Sequence, residues 1–297
     1  MNVITTTHGP GKLSTKVFVS SESGFNVTST IVMGEKDCVL IDCQWTRANA
    51  FRVIAEIIET GRNLTAIYAT HAHPDHYWGM GEIHDAFPQA KCYAPPAVCT
   101  LYSHQYQPKL DEWAKVIGET NLCRKQCAAL EPLEQDYIEL EGEKLEIIRC
   151  MGDLMWNTVV WVPSIKTVIG SDVIFNQAHP FVCEVTKDQR ALWLKDIEGI
   201  ADLKPDVIIP GHMREDCPLD ESALQFMRDY LTATEIELDG TDTPAQFFYN
   251  MCKRFPEASL VLLSNEMNSE VLKGNREWSW NEDPDPSWMK FRTVWKN

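Results

Sequence analysis

Apolar residues recur along this chain at two different spacings, and the change between them predicts where strands give way to helices. The early segments KVFVSS, FNVTSTIVM and DCVLID are rich in Val, Ile and Thr and are separated by Gly, Ser, Glu and Lys, which predicts short strands. Between Thr46 and Gly61 the apolar residues recur every three to four positions, which predicts a helix capped by Thr46 and stopped by Gly61. The segment LTAIYAT then predicts another strand.

The alternation of strands and helices continues along the chain. After LTAIYAT we expect a short helix near residues 80–86, a strand AKCYA and a mainly helical insertion over about 95–131. The segments EKLEIIRC, NTVVWVP and KTVIGSD predict strands, followed by a helix over about 188–203, the strand DVIIPG and a helix over about 219–233. This order predicts an α/β protein with enough strands for two sheets and with amphipathic helices to cover them.

The composition changes from about residue 240, where tryptophans stand among prolines and acidic residues in REWSWNEDPDPSWMKFRTVW. We therefore predict a main domain over residues 1–239 and a C-terminal helical and aromatic-rich extension over residues 240–297. The extension is expected to pack on the main domain through its aromatic side chains, with a subunit contact or a lid over a pocket as alternatives. The tryptophans concerned are Trp278, Trp280, Trp288 and Trp295.

The charge of the chain limits its partners. The formal net charge is −16, and no basic stripe is interleaved with aromatic residues, so nucleic acid is not expected as a substrate. No apolar run reaches the roughly 18 residues that a membrane span needs, and the N-terminal segment lacks the apolar block of a signal peptide. We expect a cytoplasmic protein with no membrane partner, and a homo-oligomer stays possible.

The ten cysteines are scattered along the chain without a secretory signal, so we expect reduced and mostly buried thiols. Cys123 and Cys127 lie four positions apart on a predicted helix and could bind a metal ion. The sequence shows no second pair and no nearby histidine to complete a tetrahedron, so packing is the favoured interpretation. His84 is expected to be a surface or packing residue.

A dense group of histidines follows the strand LTAIYAT, in the segment ATHAHPDHYWG. Residues two apart in an extended chain point the same way, so His71 and His73 can bind one ion together. Pro74 keeps His73 out of the helical region and bends the chain, which turns Asp75 and His76 toward a second position. Imidazole and carboxylate ligands suit zinc, with iron or manganese as competitors.

The order H-x-H-x-D-H after a strand resembles the signature of the metallo-β-lactamase fold. That fold is an αβ/βα sandwich, and its hydrolases usually hold two zinc ions in a cleft at the edge. The resemblance covers the chain from about residue 15 to about residue 235. It implies that Asp42, in VLIDCQW, lies behind the metals and orients a ligand, and that Asp172, in KTVIGSDVIF, bridges them. It also implies that His212, in DVIIPGH, is a ligand, aimed by the Pro-Gly turn that ends the strand.

One motif departs from the family pattern. The third motif of the family usually reads like TPGHTPGS, whereas this chain has MGDLMWNT, with Gly152 kept and Asp153 in place of the histidine. Either the Asp153 carboxylate is a ligand, at about 2.0–2.2 Å from zinc, or the first site is damaged and only the second holds metal. We favour the first interpretation because two histidines and one carboxylate form an ordinary catalytic site. The added charge would lower the Lewis acidity of that ion and make the site more tolerant of iron or manganese.

The resemblance and this departure together imply a dinuclear hydrolase in which the ions generate a hydroxide that attacks the substrate, and Asp75 accepts the proton of the water. The ligands implied are His71, His73 and Asp153 for the first ion, Asp75, His76 and His212 for the second, and Asp172 as the bridge. No serine or cysteine nucleophile is required.

Aromatic residues near the predicted cleft favour a small, neutral, aromatic or acyl-bearing cyclic substrate. The residues expected there are Trp78, Tyr102, Tyr106, Trp156, His179 and Phe181. The leading hypothesis is an enzyme that opens a lactam or a lactone, similar to the lactonases and to γ-lactamases that open benzoxazolinone-type compounds. A thioesterase acting on an acyl or polyketide carrier and a non-catalytic, metal-dependent ligand sensor are the alternatives. The glyoxalase-like branch is disfavoured because its C-terminal basic residues are replaced here by acidic and aromatic ones.

Overall fold

A computed structural model describes residues 2–7, 12–155, 157–277 and 295. Its first sheet contains, within those residues, seven strands arranged in the order in which they follow the chain. They are β1 (Asn2–Thr7), β2 (Ser14–Val19), β3 (Thr28–Met33), β4 (Asp37–Ile41), β5 (Asn63–Tyr68), β6 (Lys91–Ala94) and β7 (Leu130–Pro132). The pairs from β1 to β4 are antiparallel and those from β4 to β7 are parallel. The parallel half therefore directs the carboxyl ends of its strands to one edge of the sheet.

The helices that connect these strands cover the outer face of the first sheet. They are α1 (Arg47–Thr60), α2 (Pro74–Tyr77), α3 (Met80–Ala86) and α4 (Pro96–Ile117). Thr46 caps α1 by accepting a hydrogen bond from the Asn49 backbone, and Gly61 ends the helix at a φ of 69°, so the predicted start and stop are confirmed. The helix predicted through residue 131 instead ends at Gly118, which has a φ of 83° that other residues rarely adopt. Cys123 and Cys127 consequently lie in an irregular segment, and not on a helix as predicted.

The second sheet has five strands within the described ranges, in the order β13, β11, β10, β9, β8. The strands are β8 (Tyr137–Leu140), β9 (Glu143–Cys150), β10 (Asn157–Val162), β11 (Thr167–Ile169) and β13 (Val207–Ile209), and the short β12 (Phe175–Asn176) pairs with β14 (His212–Met213). The remaining helices are α5 (Lys187–Asp202), α6 (Ser222–Gly240), α7 (Pro244–Arg254) and α8 (Glu266–Leu272), with a π-helical turn over Val261–Asn265.

Three buried apolar clusters separate four layers. One cluster lies between the two sheets, where Val39 and Ile41 of β4 meet Val160 and Val162 of β10. A second packs α1, α3 and α4 on the first sheet, and a third packs α5, α6 and α7 on the second. This is the αβ/βα sandwich that the sequence predicts. No helix in the described part of the chain is long and apolar enough to cross a membrane.

The C-terminal extension is described in part. Its helix α7 places Phe247 and Met251 in the same apolar cluster as α5 and α6. The indole N–H of Trp295 donates to the Asp196 carboxylate over 2.8 Å, and its ring lies where a side chain at Gly199 would otherwise sit. The boundary at residue 239 stays a prediction, and Trp278, Trp280 and Trp288 lie outside the described residues.

Candidate metal centre

The histidine segment lies at the carboxyl end of β5, where the chain leaves the sheet. His71 and His73 belong to the extended loop after the strand, and Pro74 begins α2, which carries Asp75 and His76 on its only turn. All five side chains are buried. Proline at the first position of the helix leaves no backbone N–H unpaired there, so this sequence both ends the strand and starts the turn.

A first donor group is formed by His71, His73, Asp153 and Asp172, which each offer one ligand atom within 4.8 Å of the others. The Nδ1 atom of His73 lies 2.9 Å from Asp153 Oδ2. The other carboxylate oxygen of Asp153 accepts a hydrogen bond from the Asn157 amide over 2.9 Å, which fixes Oδ2 toward His73. Asp153 therefore offers its Oδ2 atom to the first donor group. This geometry favours the interpretation of Asp153 as a ligand over that of a damaged site.

A second donor group is formed by Asp75, His76 and His212, whose ligand atoms also lie within 4.8 Å of one another. The Nε2 atom of His212 is 3.3 Å from Asp75 Oδ2 and 3.5 Å from His76 Nε2. Asp172 lies between the two groups: its Oδ1 is 3.0 Å from His76 Nε2, and its Oδ2 is 3.5 Å from His71 Nε2. A single carboxylate can therefore reach an ion in either group.

The second donor group is oriented by two short hydrogen bonds on the far side of its imidazoles. His76 Nδ1 donates to Asp42 Oδ2 over 2.7 Å, and His212 Nδ1 donates to the backbone carbonyl of Phe25 over 2.6 Å. Both leave Nε2 free to face the centre, because a ring nitrogen that donates a proton fixes the tautomer. The expected role of Asp42 as an orienting residue matches this contact.

The first donor group has longer supporting contacts. His71 Nδ1 lies 3.1 Å from Ser171 Oγ, and His73 Nε2 lies 3.3 Å from Glu184 Oε1. Sequence reasoning missed Glu184, because it is separated from His73 by 111 positions and no family motif marks it. The contact turns Nδ1 of His73, and not Nε2, toward Asp153.

Two glycines allow the backbone to approach the central carboxylate. A Cβ atom at Gly211 would lie 2.3 Å from Asp172 Oδ1, and one at Gly152 would lie 2.6 Å from the Asn157 amide. Any larger residue would displace the bridge or the residue that orients Asp153. Asp42 and Ser171 have φ values of 61° and 45°, a left-handed conformation that is strained for residues other than glycine and recurs at functional sites.

In the absence of metal, the buried histidines and carboxylates of the centre shift one another's pKa values. Burial, helped by the nearby Asp172 and Glu184 carboxylates and opposed by His73, raises the pKa of Asp153 to about 7. Burial lowers the pKa of His212, but the Asp172 and Asp75 carboxylates outweigh this and raise it to about 10. Burial and the neighbouring His76 lower the pKa of His71 to about 3. A cation that enters must therefore displace protons from several of these groups.

The residues present fit a pair of metal ions. Three buried donor atoms, His71 Nε2, Asp153 Oδ2 and Asp172 Oδ1, lie 2.9–3.5 Å from other ligand atoms of the centre but make no hydrogen bond of good geometry with any described residue. Leaving buried polar atoms unpaired is costly unless another ligand satisfies them. Because all three point into the donor groups, nitrogen and carboxylate coordination of zinc, iron or manganese accounts for them.

A cavity opens beside both donor groups. Its apolar wall is formed mainly by rings and aliphatic side chains from distant parts of the chain: Phe25, Trp45, Trp113, Phe175, Phe181, Leu260 and Leu263. Lys109 and Glu184 are the charged residues of its lining outside the donor groups, within the described part of the chain. The buried Lys109 ammonium also donates to the Ala72 carbonyl over 3.1 Å.

The aromatic residues predicted for the cleft are only partly there. Phe181 lines the cavity, with its ring edge-on to His73. Tyr102 and Tyr106 instead lie on the buried face of α4, and Trp78, which follows α2, packs against Tyr106 in the same apolar cluster.

His179 and Trp156 complete the predicted set. The Nδ1 atom of His179 lies 2.9 Å from the Tyr230 hydroxyl, and the ring is fully buried away from the cavity, so the structure gives it a packing position. Trp156 lies outside the described residues. The rings found at the cavity without having been predicted, Phe25, Trp45, Trp113 and Phe175, carry no local signal that separates them from core residues.

The C-terminal extension holds one wall of the cavity in place. The Asn268 side chain, on α8, accepts hydrogen bonds from the Val182 and Cys183 amides over 2.9 and 3.1 Å and donates to the Pro180 carbonyl over 2.8 Å. The loop that it fixes carries both Phe181 and Glu184. Three hydrogen bonds of the Asn268 side chain thus hold the loop that carries Glu184, and Glu184 in turn contacts His73 of the first donor group.

Comparisons with known proteins agree with this geometry. Residues 23–121 match the family model described as metallo-beta-lactamase superfamily. The hydroxyacylglutathione hydrolases of Actinobacillus pleuropneumoniae serotype 5b (strain L20) and serotype 3 (strain JL03) are each 33% identical over 78 residues, which are 26% of this chain and 32% of theirs. The chain therefore spans about a third of the length of the curated relatives it matches.

Solved structures extend the likeness over most of the chain. A metallo-beta-lactamase from Pontibacter korlensis aligns with a TM-score of 0.58 at 16% identity, over 78% of this chain and 99% of that protein. The DIM-1 metallo-beta-lactamase exposed to ceftazidime aligns with a TM-score of 0.56 at 17% identity, over 78% and 97%. The metallo-beta-lactamase from Hirschia baltica aligns with a TM-score of 0.53 at 17% identity, over 78% and 98%. The chain therefore has the metallo-β-lactamase fold, and its residues 23–121 match the model of that superfamily.

Proposed function

We propose that the protein is a dinuclear metal-dependent hydrolase that opens a small cyclic amide or ester, a lactam or a lactone. The observation that carries the proposal is the convergence of seven nitrogen and oxygen donors from separate strand ends on one cavity. The donor types suit zinc, and the two carboxylates of the first donor group also suit iron or manganese.

His71, His73, Asp153 and Asp172 would hold one ion, and Asp75, His76 and His212 the other, with Asp172 shared. A bound pair of cations supplies Lewis acidity and makes water nucleophilic at neutral pH. Asp75 borders the cavity, so its carboxylate can accept the proton that the attacking water loses.

The walls of the cavity favour a compact substrate with a large apolar surface. Aromatic and aliphatic groups on both sides can hold a ring against the donor groups and exclude water from the opposite face. Ring opening by water produces a carboxylate, and the Lys109 ammonium in the same wall provides an opposite charge for it. The structural relatives are metallo-beta-lactamases, which supports a cyclic amide as the substrate.

The test is metal analysis of the purified protein followed by a screen of lactams, lactones and acyl thioesters at equal concentration. We expect about two ions per chain at the candidate metal centre, and turnover of a cyclic amide or ester that is lost after chelation and restored by added zinc, iron or manganese. The Asp172→Ala variant is the matched control and should show no turnover. A loaded protein that binds such compounds tightly without converting any of them would contradict the proposal and support a ligand-binding protein.

A thioesterase is the second candidate, because the sequence relatives are named hydroxyacylglutathione hydrolases and match the segment that contains the histidines. Against it, the C-terminal region of this chain is acidic and aromatic. Faster cleavage of acyl thioesters than of every lactam and lactone in the screen would favour this candidate.

A further inference from the structure

We propose that His84, Cys92 and Cys127 form an additional metal site for a thiophilic cation such as Zn²⁺, separate from the candidate metal centre. One ring nitrogen and two Sγ atoms lie within 4.8 Å of one another. The site shares no residue with either donor group at the end of β5. The proposal therefore stands or falls independently of the proposed function.

Three segments of the chain bring the donors together. His84 lies on α3, Cys92 lies on β6, and Cys127 lies in the irregular segment before β7. Strand pairing places Cys92 opposite Leu130, three positions after Cys127, so the register of β6 and β7 brings the two thiols to the same end of the sheet. Sequence spacing suggested Cys123 as the partner of Cys127, but Cys123 interacts with Glu82 instead.

The segment that carries Cys127 is fixed against its neighbours. The backbone N–H of Cys127 donates to the Tyr102 hydroxyl over 2.7 Å. The Cys127 side chain is buried, although the residues on either side of it in the chain are exposed. A Cβ atom at Gly81 would lie 2.0 Å from the Lys125 carbonyl, so this glycine allows the segment to touch α3. Gly81 and His84 are three positions apart and share one face of the helix. The donors are thus held in position before any ion binds.

The chemistry of the donors selects the class of ion. When a divalent cation binds, each thiol loses its proton to solvent, two protons are released, and the two thiolates neutralise the charge of the ion. A neutral assembly with an uncharged imidazole is compatible with the burial of both sulfur atoms, whose residues are 1% and 4% exposed. Thiolate and imidazole ligands favour Zn²⁺ over Mg²⁺ or Ca²⁺.

The site also has an accessible side. His84 is half-buried at the surface end of the group, so an ion can enter there and water can take a fourth position. Two cysteines, one histidine and an open position form a coordination set that zinc adopts in proteins. The bound ion would join α3, β6 and the segment before β7, and would stabilise their packing.

The experiment uses the full-length, metal-free protein under reducing conditions, titrated with Co²⁺. Thiolate-to-cobalt charge-transfer absorption in the near ultraviolet reports this site alone, because neither donor group of the candidate metal centre contains sulfur. At saturating cobalt we expect an absorption intensity that corresponds to about one thiolate-bound cobalt ion per chain. It should disappear in Cys92→Ser and Cys127→Ser, and remain in Cys38→Ser, a matched change of another buried cysteine in the same sheet.

His84→Ala provides a variant at a half-buried position that leaves the core intact. We expect its cobalt affinity to fall at least about tenfold while the protein stays folded, as checked by circular dichroism. Absence of charge-transfer absorption in the reduced wild-type protein would overturn the proposal, as would full absorption in either serine variant. A Cys92–Cys127 disulfide in a protein that binds no cobalt after reduction would also overturn it.

Discussion

The two donor groups of the candidate metal centre are built from the same residue types but are supported differently. In the second group, the imidazoles of His76 and His212 donate to oxygen atoms at 2.7 and 2.6 Å. In the first group, the supporting contacts of His71 and His73 are 3.1 and 3.3 Å long. Shorter hydrogen bonds to well-fixed acceptors hold a ligand more rigidly, so we expect the second group to bind its ion more tightly.

The groups also differ in charge. The first contains Asp153 and Asp172 and has Glu184 beside it, whereas the second contains Asp75 and shares Asp172. Asp153, the residue that departs from the family motif, therefore lies in the first group, which is the more anionic and has the less firmly oriented histidines. The second group keeps every residue that the family resemblance implies for its ion, whereas the first has Asp153 in place of a histidine and is the group in which we expect metal preference to differ.

The largest effect is expected from His212→Ala, which removes a ligand from the better organised group. Loss of Lewis-acid stabilisation of several kcal/mol corresponds to a fall in kcat/KM of about 10³-fold, at roughly 1.4 kcal/mol per factor of ten. Steady-state kinetics and metal analysis of the variant provide the measurement. A variant with wild-type activity would remove His212 from the site.

Asp153→Ala tests the first group and should have the next largest effect. The metal content should fall by about one ion per chain and kcat by about 10²-fold, because the remaining ion of the centre lacks its partner. Asp153→His is the matched variant: it restores the family ligand and should recover the second ion. Two ions and full activity in the alanine variant would show that Asp153 is no ligand.

Asp42→Asn changes only the residue that orients His76. The amide keeps the shape of the side chain and tolerates the left-handed backbone at this position, but it no longer offers a carboxylate to the His76 ring. We expect metal affinity of the second group to fall about 10–100-fold, with the fold unchanged. Competition with a chromophoric chelator measures this, and unaltered affinity would reject the orienting role.

Glu184→Gln makes the corresponding change behind His73, and its effect should be smaller because that contact is longer. Affinity at pH 8 should fall by less than about tenfold. The Glu184 charge raises the pKa of Asp153, and Asp153 must be ionised to bind a cation. The bend in a plot of log metal affinity against pH should therefore move to lower pH, and a bend at higher pH than in the wild-type protein would contradict this account.

The sequence predicted those features that depend on local pattern and motif order. The cap and stop of α1, the four-layer fold and the positions of Asp172 and His212 relative to the histidine segment belong to this class. The helix predicted as far as residue 131 was wrong because a single glycine with positive φ outweighs the apolar spacing beyond it.

Features that depend on the approach of distant segments could not be predicted. Trp78 and Trp45 are both fully buried tryptophans close to the histidine segment in space, yet only Trp45 lines the cavity. The local sequence does not distinguish a tryptophan that lines the cavity from one in the core, because both positions depend on how α4 lies on the sheet. The meeting of Cys127 with Cys92 and His84 is of the same kind.

The hydrogen bonds of Asn268 connect the choice of substrate to a part of the chain that contains no ligand. The loop from residue 180 to residue 184 has its shape set by an amide more than 80 positions away. Exchange of α8 and the π-helical turn between homologous chains would therefore reshape the pocket while leaving the ions in place. Such an arrangement would let the proposed reaction be preserved while the range of accepted molecules changes.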